Sequence, residues 1–129
     1  MRRTVAVDLD GVLAEYDSWQ GVEHFGEPIP GAKEFLAALG EFADVLIYTC
    51  RCNKELMREG SCLSANRIRR WLDKHNMTYH AIYTGVGKPV AAAYVDDRAV
   101  VCRPLTPQNY GSAIEECRAL CDAIPEGEK

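Results

Sequence analysis

The stretch TVAVDLDG, residues 4–11, decides how this chain is read. Val5, Ala6 and Val7 spell a buried strand, yet Asp8 and Asp10 follow with only Leu9 between them. Residues two apart on a strand share a face, so the most apolar strand closes on two carboxylates aimed the same way. Burying one charge is costly without a partner, and two like charges repel. Such a strand end needs water or a positive charge beside it.

Working outward, short runs rich in Val, Ile and Tyr recur at residues 4–9, 43–49, 80–83 and 93–95, with a possible fifth at 99–102. Continuous apolar strands suit a parallel sheet covered on both faces. Helical patterns lie between them. Pro30 and Gly31 precede AKEFLAALGEF (32–42), with Phe35, Leu36 and Leu39 on one face. Ser61 or Ser64 is placed to cap ANRIRRWLDKHN (65–76), with Ile68, Trp71 and Leu72 inward and Arg67, Arg70 and Lys74 outward. A last helix spans 112–124, ahead of the polar tail 125–129. The alternation predicts an α/β fold: a Rossmann-like three-layer α/β/α sandwich on a mainly parallel sheet of roughly five strands. A length of 129 residues suits one domain, 1–124, large enough for its own core.

Bulk properties narrow the function. A net charge of −4 disfavours a protein whose main partner is a nucleic-acid backbone. Met1-Arg2-Arg3 resembles the basic start of a signal peptide, but Asp8 and Asp10 interrupt the apolar run behind it. No stretch approaches the ~20 apolar residues of a membrane span. A cytoplasmic location is expected, with the six cysteines as reduced thiols. Cys102 reads as core and Cys50 as a buried, inert thiol. Cys117 and Cys121 share a helix face but lack the paired spacing of a zinc site.

In parallel α/β sheets, ligands bind beyond the carboxyl ends of the strands. Here those ends carry Asp8 and Asp10, then Thr49 after VLIY, then Asp96 and Asp97 after AYV, with Lys88 in GVGKP shortly before. Four carboxylates, a hydroxyl and an ammonium aimed at one rim describe a site for a cation and a phosphate.

These four segments, in this order, resemble the four motifs of the haloacid dehalogenase superfamily of phosphotransferases. DLDGV matches the first, Thr49 the second, Lys88 the third and Asp96-Asp97 the fourth, over residues 4–103. The resemblance implies a Mg²⁺-dependent phosphatase. Asp8, Asp96 and Asp97 would ligate Mg²⁺, joined by the backbone carbonyl of Asp10, while Thr49 and Lys88 hold the phosphate oxygens. Asp8 would attack phosphorus to form an aspartyl-phosphate, and Asp10 would act as acid and then base. Neither residues 12–30 nor residues 50–87 leave space for a large cap domain, so a capless member is expected, its site open or shared in a homodimer. Arg51 would touch the leaving group, and Trp19, His24 and Phe25 lie in the loop that covers the site in capless members.

The substrate is a phosphorylated compound of unspecified class. One alternative is a polynucleotide 3′-end phosphatase, with Arg51, Arg58, Arg67, Arg70 and Arg98 forming a basic groove. A phospho-receiver module is a weaker one, because receivers carry their acceptor Asp on a middle strand, where this chain has Thr49 and Cys50.

Overall fold

A computed structural model describes residues 2–53 and 61–124. The chain forms two compact units, Met1–Asp97 and Arg98–Lys129. The first unit contains β1 (Arg3–Val7), α1 (Ala32–Gly40), β2 (Ala43–Ile47), a 3₁₀ turn (Cys50–Cys52), α2 (Ser61–Lys74), β3 (Ala81–Ile82) and β4 (Ala93–Val95). The second contains α3 (Tyr110–Ala123).

The fold is α/β with a four-stranded parallel sheet in the order β3-β2-β1-β4. β1 is central. Val7 pairs with Ile47 of β2 on one side and with Val95 of β4 on the other. Chain order runs outward from β1 to β2 and β3, then returns to lay β4 against the opposite edge of β1. The reversal between β1 and β4 is a topological switch point, where open α/β sheets leave a crevice at the strand ends.

Burial explains the strand sequences. Val5, Ala6 and Val7 are all buried, as expected of a central strand covered on both faces. β2 alternates instead, with Ala43, Val45 and Ile47 buried and Asp44 and Leu46 partly open. Leu36 of α1 and Ile68, Trp71 and Leu72 of α2 complete one core with Leu9, Leu13 and Met77. Burying each such side chain contributes about 1.5–3 kcal/mol.

Several details differ from the sequence reading. Residues 99–102 form no strand, and Cys102 is exposed rather than core. Cys50 is exposed as well. Phe35 is 39% exposed, so on that face only Leu36 is fully enclosed, with Leu39 partly buried. Ser64 is buried within α2, which already begins at Ser61. Asn109 caps α3, its side chain accepting from the N–H groups of Gly111 and Ser112, so that helix starts two residues earlier than expected. No helix among the described residues is long and apolar enough to cross a membrane.

Candidate active site

The end of β1 is built to present its carboxylates. The Asp8 N–H still donates to the Val95 carbonyl of β4 at 2.9 Å, which locks the two strand ends side by side. The chain then turns sharply. The Leu9 carbonyl accepts from Leu13 and Ala14, and Gly11 adopts φ +86°. Both Leu9 and Leu13 are fully buried and anchor the turn from below. Two observations favour glycine at this position. Its φ is left-handed, and a Cβ there would collide with the Asp97 carboxylate, lying 2.8 Å from Cγ.

Asp8, Asp96 and Asp97 converge at the switch point, each offering an oxygen within 4.8 Å of the others. Burial pushes the Asp8 carboxyl up to about 7. The Leu9 N–H, donating to Asp8 Oδ1 at 2.8 Å, opposes this, while the charges of Asp96, Asp97 and Asp10 add to it. Three acidic groups crowded at one strand end, one of them half-desolvated, form an oxygen-only donor set of the kind hard divalent cations prefer.

Asp10 does not join that cluster. Its carboxylate faces Arg51, whose Nε–H donates to Oδ2 at 2.8 Å and whose Nη2–H donates to Oδ1 at 3.0 Å. The same guanidinium donates to the carbonyls of His24 at 2.8 Å and Val22 at 3.4 Å. It also lies over the rings of Phe25 and Trp19, 4.1 and 4.9 Å from their centroids. The Arg51 side chain is only 6% exposed. The loop between β1 and α1 is therefore fastened to Asp10 through one arginine.

That loop is itself braced. Glu15 donates to the Glu27 carbonyl and Ile29 to the Leu13 carbonyl, which pins its two stems together. Gly26 sits against the Glu15 backbone so closely that a Cβ would overlap the carbonyl. Phe25 stacks on Trp71 of α2 at 6.1 Å, and Glu23 approaches Arg67 at 3.6 Å. Of the loop aromatics, Phe25 is a plug joined to the core, whereas Trp19 remains 43% exposed. Asp10, Trp19, His24 and Arg51 line a small cavity of about 10 Å³, the room of a single water.

Of the remaining sequence candidates, Thr49 lies past the end of β2 and Lys88 lies in the segment before β4. Thr49 is buried two residues past β2, and its Oγ1 accepts from the Arg51 N–H at 3.2 Å, starting the turn that aims Arg51 inward. Continuing the β1–β2 register sets it level with Leu9, between Asp8 and Asp10. Lys88 is exposed, its ammonium 4.4 Å over the ring of Tyr94, whose hydroxyl donates to the Pro89 carbonyl at 2.5 Å. Arg58, named for a basic groove, lies outside the described residues. Two features had no signal in the sequence. One is the Arg51–Asp10 pair, 41 residues apart in the chain. The other is Tyr48, which packs edge-on against Tyr83 at 5.8 Å. Burial first, then Cys50, Tyr83, Asp96 and Tyr94 nearby, push its phenol up.

No protein-family model matches this chain, and neither a curated protein nor a solved structure shows similarity to it.

Proposed function

We propose that this protein is a Mg²⁺-dependent phosphohydrolase of the haloacid dehalogenase type, cleaving a phosphomonoester through an aspartyl-phosphate on Asp8. The observation that carries this reading is the meeting of Asp8, Asp96 and Asp97 at the β1–β4 switch point, with Asp10 two residues beyond the first. The donor set suits Mg²⁺, which favours oxygen ligands. Asp8, Asp96 and Asp97 would hold it, with the Asp10 backbone carbonyl. Bound there, Mg²⁺ supplies charge neutralisation and polarisation of the phosphoryl group.

The chain's own groups divide the work. Asp8 is the nucleophile: its oxygen bonds to phosphorus as the ester oxygen departs. Asp10 gives that oxygen a proton, then takes one from the water that attacks phosphorus and releases Asp8. Thr49, past the end of β2, and Lys88, in the segment before β4, would hold phosphoryl oxygens. On this reading the parallel sheet is the centre of a three-layer sandwich with no large cap, working in the cytoplasm where its thiols stay reduced. Of the arginines a polynucleotide groove would need, Arg51 faces Asp10 and Arg67 faces Glu23. This favours a phosphomonoester of unspecified class over a polynucleotide end as the substrate.

The test is hydrolysis of 4-nitrophenyl phosphate and a panel of alkyl phosphates with and without Mg²⁺. Turnover should require the metal, disappear in Asp8→Asn, and fall at least about a hundredfold in Asp10→Asn on alkyl esters. Turnover that survives Asp8→Asn in a preparation free of other phosphatases would refute the nucleophile.

A further inference from the structure

We propose that Arg51 is a positioning residue, one that sets the carboxylate of Asp10 for proton transfer and ties the loop between β1 and α1 to it, rather than a contact to the substrate. The inference rests on the phosphohydrolase reading and goes beyond it. Arg51 makes four hydrogen bonds through its guanidinium, two to Asp10 and two to loop carbonyls. A guanidinium has five N–H donors, so little capacity is left for a ligand. The rings of Phe25 and Trp19 also pack against it, 4.1 and 4.9 Å away, and its side chain is only 6% exposed. Reaching a leaving group would mean abandoning this cage.

The geometry at Asp10 is equally specific. Nε and Nη2 form a parallel two-bond fork, which fixes the plane of the carboxylate and thus its rotamer. Each Asp10 oxygen keeps a second lone pair for the proton it gives or takes. Asp10 lies at the start of the turn closed between Leu9 and Leu13, where a short acidic side chain unaided would sample several rotamers. Thr49 completes the device, because its hydroxyl receives the Arg51 N–H and sets the turn from which the guanidinium projects.

Positioning predicts a pattern that simple structural support does not. When phosphorus passes to Asp8, a poor leaving group needs a proton from Asp10 as its P–O bond breaks. A nitrophenolate leaves without one. In the second step every substrate needs Asp10 to take a proton from water as the new O–P bond forms. Misplacing a catalytic group by about 1 Å costs on the order of a hundredfold.

The experiment compares the native protein with Arg51→Gln, Arg51→Lys and Asp10→Asn, with Mg²⁺, on 4-nitrophenyl phosphate and glycerol phosphate. For Arg51→Gln, kcat/KM on the alkyl ester should fall about tenfold to a hundredfold and on the aryl ester by less than about threefold. The aryl kcat should drop, with phosphorylated Asp8 accumulating. Adding Arg51→Gln to Asp10→Asn should cost the alkyl ester nothing more. Arg51→Lys keeps the charge but loses the fork, so it should show the same split. If Arg51→Gln does not fold, that variant decides the matter alone. An equal fall on both esters, a raised KM with unchanged kcat, or no change would each overturn the proposal. A native protein inactive on both esters would overturn the phosphohydrolase reading itself, and this proposal with it.

Discussion

Asp8 carries a conflict between stability and chemistry that can be measured on its own. Its carboxyl sits near 7 in the folded protein against an ordinary 3.8, chiefly because it is partly buried. Between those values the folded state keeps a proton that the unfolded chain has released. The stability this group contributes is therefore complete below about pH 4 and is lost as pH rises through 7. Asp8→Asn removes the titration while keeping an oxygen for the Leu9 N–H. In metal-free protein at pH 8 the variant should be more stable than the native chain by roughly 1–3 kcal/mol. At pH 4 the two should melt together. Denaturant titrations at both values check this, and a destabilised variant at pH 8 would contradict the burial of that charge.

At the scale of elements, the loop between β1 and α1 is fastened by its paired stems, the Phe25–Trp71 stack, the Glu23–Arg67 pair and the Arg51 cage. Gly26 is where stem and backbone come closest. Gly26→Ala has to push the Glu15 carbonyl aside, which would shift the loop carbonyls that receive Arg51. Stability should fall by about 1–3 kcal/mol. Turnover of alkyl phosphates should fall more than turnover of aryl phosphates, because Asp10 loses its brace. Melting curves and paired kinetics measure the two effects separately. None of this was legible in the residues 12–30 read alone, where aromatic and charged side chains follow no period. Strand identity was legible, since burial of a central strand writes itself as a continuous apolar run in Val5, Ala6 and Val7. The run 99–102 looks similar in composition, but no ladder forms there, because apolar character alone does not supply a pairing partner.

Over the whole molecule, what the strand ends share was readable and how they are wired was not. A parallel sheet brings the C-terminal end of every strand to one edge, so Asp8, Thr49 and Asp96 had to gather there. That Asp8 and Asp96 meet at the switch point follows from β4 returning to the free edge of β1, a fact of strand order that no local pattern encodes. The pairing of Asp10 with Arg51 depends on side-chain direction after two turns, which spacing does not fix either. A cation that binds this cluster in the folded state alone must raise the melting temperature. At about 100 times its dissociation constant, Mg²⁺ should add about 2.7 kcal/mol, or roughly 8–12 °C for a chain of this size. The shift should grow from pH 6 to pH 8, since the metal competes with the proton on Asp8. Asp96→Asn and Asp97→Asn should each reduce it, and an undiminished shift in both would place the metal elsewhere.

The central claim is that phosphorus becomes bonded to Asp8. The direct measurement is peptide mass analysis after acid quench of Asp10→Asn incubated with Mg²⁺ and 4-nitrophenyl phosphate. Without its base, the variant should release nitrophenolate once and then stall. One phosphoryl group should appear on the peptide that holds Asp8, and none in Asp8→Asn/Asp10→Asn. Steady hydrolysis with no phosphorylated peptide at any time, or a phosphoryl group on another residue, would contradict the account.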